Sequence, residues 1–279
     1  LAGLSNDPLG DLNPQLTFEI NYKATVRLAE LAKEAGVQRF LFSSSCSTYG
    51  AAGDEFLTEV AAFNPVTPYG RSKVLSEQSL AKLADERFCP VYLRNATAYG
   101  ASPRIRFDLV LNNLVSWAYT TGRVHLKSDG TAWRPIVHIE DISRAFIALL
   151  RAPLELVWNQ AFNVGASEEN YQIRDIAELV KQTVPGCELE FADGASTDTR
   201  NYRVDCRKIH HMLPEFQPQW NAAKGAEQIF NAVSTFGLKL DEFEGPRYKR
   251  LDHIKQLLGA GLLDETLRWK IVVHERASV

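Results

Sequence analysis

The sequence predicts an α/β protein built on a doubly wound parallel sheet. Two observations predict it. Short apolar runs, RFLFSS at Arg39–Ser44 and the run Pro90–Arg94, alternate with longer segments whose apolar residues recur every three or four positions. Phe40, Leu41 and Phe42 also stand in an unbroken row after a helical segment, as in a parallel strand covered on both faces.

In chain order, Leu1–Leu4 reads as the apolar end of a strand and Ser5–Pro14 as a loop with two prolines. Thr17–Ala35 is predicted helical from Ile20, Ala24, Leu28, Leu31 and Ala35, with Gly36 as its C-cap. Arg39–Ser44 follows as a strand, Cys46–Pro68 as a long loop, Tyr69–Leu83 as a helix and Pro90–Arg94 as a strand. Asn95–Trp133 reads as irregular, with one helix near Leu109–Tyr119. A helix over Asp141–Arg151, entered from Ile136–Ile139, a strand at Phe162–Val164, and helices at Ile173–Thr183, Gly225–Phe236 and Arg250–Leu258 complete the pattern.

Composition narrows the function. The chain has 279 residues, 45% hydrophobic and 23% charged, which suffices for a sizeable core. A formal net charge of -3 gives no electrostatic case for nucleic acid or an anionic membrane. No apolar run approaches the ~20 residues of a membrane helix, and no basic-then-apolar leader opens the sequence. Cys46, Cys89, Cys187 and Cys206 are scattered without a C-x-x-C pair, so neither a metal site nor a disulfide framework is expected. Free thiols fit a reducing cytoplasm. Because the first residue is Leu, the true N-terminus is expected to lie upstream.

The chemistry concentrates in PYGRSK, where Tyr69 and Lys73 fall one helical turn apart on one face. A phenol titrates near 10 in model peptides, too high for a base at neutral pH. An adjacent ammonium favours the phenolate, as does a helix N-terminus. Such a tyrosine can take a proton from a hydroxyl whose carbon loses hydride. Ser45, at the C-terminal end of a strand where ligands gather in open α/β sheets, is placed to orient that hydroxyl. A bare Y-x-x-x-K is more often a solvated helix face; the preceding strand ending in SSS is what strengthens this one.

SSSCSTYG followed by PYGRSK resembles the extended short-chain dehydrogenase/reductases, among them the nucleotide-sugar epimerases and dehydratases related to UDP-galactose 4-epimerase. LAGLSNDP, NYKAT, LRNATAYG, SDGTAWRPIVHIEDISRA and FNVG resemble further family segments, in the family's order, over most of Leu1–Ile209. The resemblance implies a Rossmann-like sheet over 1–95 and 135–165 that lacks its N-terminal strands. It also implies a smaller α+β substrate domain over 96–134 and 166–233 and a helical extension over 234–279.

Carried over residue by residue, the resemblance makes Ser45, Tyr69 and Lys73 the catalytic set. It places Leu1, Ala2, Gly3, Ser5, Asn21, Ser43 and Asn95, with Tyr69 and Lys73, around NAD or NADP. It places Ser45, Thr97, Asn112 or Asn113, His125, Arg134 and Arg200 around a nucleotide-diphosphate sugar. A guanidinium suits diphosphate through its fixed fork of donors, and a structural ion pair is the alternative reading for Arg134 and Arg200. Asn21 has the alternative of satisfying backbone groups, and His138 that of packing under the sheet. A homodimer through the helices 17–35 and 69–83 is implied as well.

Three departures from the family pattern bear on function. The G-x-x-G-x-x-G turn that cradles a pyrophosphate is absent, so weak NAD(P) binding by this chain is expected. The Asp-Glu pair of the 4,6-dehydratases is replaced by Cys46 and Ser47, which argues against water elimination. Related epimerase-reductases carry a cysteine where Ser47 stands; Cys46 is one position away and has the alternatives of auxiliary acid or small buried thiol. The family asparagine of R-x-x-N is Thr97, which keeps a hydroxyl but no amide donor. Expected activity is therefore a 4-epimerase working by transient oxidation at C4. The alternatives are a one-way ketosugar reductase and a non-catalytic or inactive relative.

Overall fold

Alternating side chains on three short strands organise the fold. A computed structural model describes residues 3–5, 7–196 and 200–270. Two short helices come first, α1 (Asp7–Leu12) and α2 (Pro14–Thr17). Asn13 caps α2 by accepting from the Leu16 amide, and Pro14 suits the first helical position. The helix runs through a π-turn at Phe18–Lys23 into α3 (Ala24–Glu34). The predicted helix over 17–35 thus starts earlier, at its Asn-Pro signal, and the predicted loop before it holds α1. The π-turn leaves the Asn21 carbonyl to side chains, and it accepts from Thr25 Oγ1 at 2.9 Å and Ser76 Oγ at 3.1 Å.

Strand β1 (Arg39–Ser45) leads through a 3₁₀ turn at Cys46–Thr48 to β2 (Ala51–Leu57), α4 (Pro68–Ala81) and β3 (Cys89–Asn95). β1 pairs in parallel with β3, from Arg39 opposite Cys89 to Ser45 opposite Asn95, and β3 pairs in parallel with a later strand over Ala161–Val164. Phe42 and Tyr92 pack with Ala29 of α3 and Leu80 of α4 on one face. Val91 and Leu93 point the other way, to Ala145, Leu149 and Ile209. This two-sided burial is why the strand segments read as unbroken apolar runs.

The middle of the chain is more ordered than its sequence suggests. It holds β4 (Thr97–Tyr99), α5 (Val110–Thr121), β5 (Arg123–Ser128), β6 (Trp133–His138) and α6 (Ile139–Arg151). Then come α7 (Leu154–Val157), β7 (Ala161–Val164), β8 (Asn170–Gln172), α8 (Ile173–Thr183), β9 (Glu188–Ser196) and β10 (Asn201–Val204). The chain ends with α9 (Arg207–Met212), α10 (Ala222–Phe236), α11 (Leu240–Phe243) and α12 (Arg250–Gly259). Beside the β1-β3-β7 sheet, the described strands form the sets β4-β6-β8, β5-β9 and β10-β2. The strand β2 corrects the predicted 46–68 loop: its partner β10 lies far along the chain, so no local hairpin signal marks it. A separate apolar core joins α5, α8 and α10 through Leu111, Val115, Ile176, Val180, Ala226 and Ile229. Among the described residues, no helix is long and apolar enough to cross a membrane.

Candidate active site

The site lies at the C-terminal end of β1, where helix α4 meets the strand. Thr67 caps α4: its Oγ1 accepts from the Gly70 amide at 3.1 Å and donates to Asp7 Oδ1 at 2.6 Å. A Cβ on Gly70 would stand 3.0 Å from the Ser47 carbonyl oxygen, so the absence of a side chain there lets the helix start close against the turn after β1. Tyr69 precedes that glycine, and its hydroxyl is close enough to Ser45 for the serine to favour the phenolate. Ser45 Oγ also lies 2.6 Å from Ser47 Oγ and accepts from the Ser47 amide at 3.1 Å. Lys73 stands one turn beyond Tyr69, its Nζ 5.6 Å from the phenol ring centroid.

The electrostatics differ from the sequence expectation. Burial, helped by the charge of Asp7, raises the pKa of Tyr69; the nearby Ser45 hydroxyl and the charge of Arg106 oppose this without overcoming it. Lys73 is not what tunes it here, because its ammonium donates to the Ser43 carbonyl at 2.7 Å and lies over the Phe42 ring. Burial lowers the Lys73 pKa to about 8, against the charge of Glu77 one turn further on. The phenol is therefore protonated at neutral pH.

Beneath the site a buried polar network fixes α4 to the sheet. Arg94 Nη2 donates to Glu77 Oε2 at 2.7 Å, and Arg94 Nε donates to both Glu77 oxygens. Arg94 Nη1 donates to Tyr49 Oη at 3.0 Å and to the Glu59 carbonyl at 2.9 Å. Ser44 Oγ donates to Glu77 as well. Cys46 is buried, donates Sγ to the Arg94 carbonyl at 3.1 Å and has its pKa pushed up by desolvation. It packs as a small buried thiol.

The remaining sequence-predicted residues divide. Asn95 joins the site: Nδ2 donates to Ser43 Oγ at 3.0 Å, while Oδ1 is buried without a hydrogen-bond partner. Asn21 is directed elsewhere, its Oδ1 accepting from the Leu4 amide at 2.9 Å and its Nδ2 donating to the Leu4 carbonyl at 3.0 Å. These bonds match its alternative reading as a residue that satisfies backbone groups, here in the Gly3–Ser5 loop. Leu1 and Ala2 lie outside the described residues; Gly3 is exposed and Ser5 half-buried. Asn112 bonds to the Gly100 backbone and the Arg106 carbonyl, and Asn113 to the Phe107 carbonyl. Both amides thus brace the 100–107 loop. Thr97 lies on β4 opposite Ile136. His125 lies on β5 against Trp117, in another sheet from Ser45.

Arg134 is buried, and its Nη1 donates to the carbonyls of Trp133 and Arg200. Arg200 Nη1 in turn donates to Asp7 Oδ2 at 2.8 Å. Both expected diphosphate arginines are therefore linked through Asp7 to the Thr67 cap of the helix carrying Tyr69. His138 caps α6 by accepting from the Glu140 amide and stacks on Trp220, a packing role. Asp7 and Arg106 were not singled out by their sequence context; the R-x-R spacing of Arg104 and Arg106 is the one local signal for that corner.

The model of the NAD dependent epimerase/dehydratase family matches residues 1–165. The chain belongs to that family. Among curated relatives of this family member, UDP-glucuronate 4-epimerase of Thermodesulfobacterium geofontis is 25% identical over 226 residues, which is 78% of this chain and 66% of that protein. UDP-glucose 4-epimerase of Bacillus subtilis is 26% identical, covering 77% of this chain and 67% of that protein. The chain thus spans about two thirds of the length of these relatives. Among solved structures, MoeE5 in complex with UDP-glucuronic acid and NAD aligns with a TM-score of 0.72 at 25% identity, covering 85% of this chain and 78% of that one. The epimerase/dehydratase chain has the Rossmann-like α/β fold of that structure.

The described residues fit the nicotinamide-ribose end of such a dinucleotide. Asn95 carries an unpartnered buried amide oxygen, suited to a carboxamide donor, and its amide nitrogen and the Lys73 ammonium both bond to Ser43. No G-x-x-G-x-x-G turn for the pyrophosphate is present in the sequence.

Proposed function

We propose that this chain carries the reacting centre of an NAD(P)-dependent nucleotide-sugar 4-epimerase. The observation that supports it most is the closeness of the Tyr69 hydroxyl to Ser45 at the mouth of the parallel sheet, with Lys73 one turn along α4. In this reading Ser45 Oγ holds the C4 hydroxyl, and Tyr69 Oη takes and returns its proton. Bound NAD(P) would supply the hydride acceptor and donor. Lys73 and Asn95 would hold its nicotinamide end. As it stands, the protonated Tyr69 suits the reductive half of the cycle. The oxidative half requires the Lys73 ammonium to leave the Ser43 carbonyl and face the phenol, which lowers the phenol pKa.

Water elimination is disfavoured, because a hydroxyl (Ser47) and a thiol held by a backbone carbonyl (Cys46) stand where an acid pair is needed. The relatives that act on UDP-glucuronate and UDP-glucose support a UDP-sugar as substrate. The reading places the dinucleotide-binding part at 1–95 and 135–165 and the substrate part at 96–134 and 166–233. It includes a homodimer through helices 17–35 and 69–83, which would cover the exposed Leu28, Leu31 and Leu75.

The test is incubation of the protein with UDP-glucose or UDP-glucuronate and NAD in deuterated water, with product analysis by chromatography and NMR. The 4-epimer should form with no deuterium at C4, because hydride returns to the carbon it left. Tyr69→Phe should reduce turnover by about 10²-fold or more. Turnover that needs stoichiometric NADPH favours the ketosugar reductase. An unchanged rate in Tyr69→Phe refutes the assigned role.

A further inference from the structure

Asp7, the first residue of α1, joins two segments remote from it in sequence. Its Oδ1 accepts from Thr67 Oγ1 at 2.6 Å, and its Oδ2 accepts from Arg200 Nη1 at 2.8 Å. Thr67 caps α4, so the first bond holds the helix two residues before Tyr69. Arg200 adjoins β10, and its carbonyl accepts from Arg134 of β6, so the second bond reaches the strands of the other half of the chain. Helix α1 itself lies close against the tyrosine: a Cβ on Gly10 would stand 3.3 Å from Tyr69 Cβ. Thr67 has a single hydroxyl proton. By taking it, Asp7 leaves the oxygen lone pairs facing the Gly70 amide, which is the orientation a cap needs. The carboxylate is 15% exposed and its arginine partner 39%, so the negative charge lies deeper than the positive one and is less screened by solvent. Charged and titratable groups act on Tyr69 from several segments: Asp7 on α1, Cys46 after β1 and Arg106 before α5, with Lys73 on α4 itself.

We propose that Asp7 is a positioning residue of the reacting centre: it ties the Thr67 cap of α4 to Arg200 beside β10, and so holds Tyr69 in register with the other half of the chain. That Tyr69 is the acid/base rests on the proposed function; the tie itself rests on the two bonds to Asp7. A carboxylate placed in this way has a signature that a simple brace lacks. Asp7→Asn keeps an oxygen for Thr67 but removes the charge, so the Tyr69 phenolate forms at lower pH than in the wild type. Arg200→Gln leaves the carboxylate without its counter-charge, so the phenolate forms at higher pH. Loosening of the structure alone admits water to Tyr69 and moves both variants downward together, because burial is what chiefly raises its pKa.

NMR of the whole chain labelled with ¹³Cζ-tyrosine tests this, the Tyr69 signal being the one that Tyr69→Phe lacks. Ionisation is compared up to the highest pH at which circular dichroism shows wild type and variants folded. Asp7→Asn should be more ionised at Tyr69 than the wild type, and Arg200→Gln less. In turnover of UDP-glucose or UDP-glucuronate with NAD, Thr67→Ala should lower kcat about tenfold or more, since it frees the start of the helix that aims Tyr69, with KM held within about twofold. Thr67→Ser keeps the hydroxyl and should restore kcat. Movement of Asp7→Asn and Arg200→Gln in the same direction, or of neither, overturns the inference, as does an unchanged kcat in Thr67→Ala. Absence of turnover in the wild type counts against the proposed function, while the Tyr69 titration, which needs no substrate, still decides the role of Asp7.

Discussion

Replacing Glu77 by Gln keeps the shape of the side chain and removes its charge. Arg94 would then sit beneath the site as a cation only 6% exposed, without the carboxylate that now meets it through Nε and Nη2. Exposed pairs contribute at most about 1 kcal/mol, but removing one member of a buried pair costs about 3–5 kcal/mol. At roughly 2–4 °C per kcal/mol for a chain of this size, the melting temperature should fall by about 6–20 °C. Urea denaturation followed by tryptophan fluorescence gives the free energy. The double variant Glu77→Leu with Arg94→Met should be more stable than either single variant, because it leaves no lone charge in the interior. A loss below about 1 kcal/mol for Glu77→Gln would show that water or another group satisfies Arg94, and the reasoning would fail.

Lys73 should titrate near pH 8, read by NMR after reductive ¹³C-methylation, and lower still in Glu77→Gln because the Glu77 charge now raises it. Its folded pKa lies below the ordinary lysine value of 10.5, so the unfolded chain binds more protons between those limits, and the contribution of Lys73 makes stability rise as pH climbs from about 8 to 10.5. A Lys73 resonance titrating near 10.5 would contradict its burial. Gly70→Val should cost about 1–3 kcal/mol in urea denaturation, since its Cβ would start 3.0 Å from the Ser47 carbonyl. Native protein should react slowly with Ellman's reagent, because all four cysteines are buried and burial raises their pKa values, and should react fully in denaturant. Fast labelling of Cys46 in the native state would overturn its assignment as a packed thiol.

Much of the fold was legible because local pattern and tertiary need coincide. Strand β1, helix α4, strand β3 and helix α8 fall within a few residues of their predicted spans, since two-sided burial demands unbroken apolar runs and one-sided burial demands the helical repeat. β2, β4 and β5 were not legible, because AAGDEFL, TAY and RVHLKS are short or mixed polar segments without an unbroken apolar run. The meeting of Ser45, Tyr69 and Lys73 was likewise foreseeable from one strand end and one helical turn. The direction of the Tyr69 pKa was not.

The sequence by itself determined the parallel α/β core, the chemical types at the candidate site and the absence of an Asp-Glu pair at positions 46 and 47, because these depend on residue identity and short-range spacing. Only the tertiary structure decided that burial outweighs Ser45 and Arg106 at Tyr69, that Asn21 braces a loop, and that Arg250 meets Ser5 from the far end of the chain. Desolvation, and the balance of charges drawn from distant segments, exist only once the chain has folded around them.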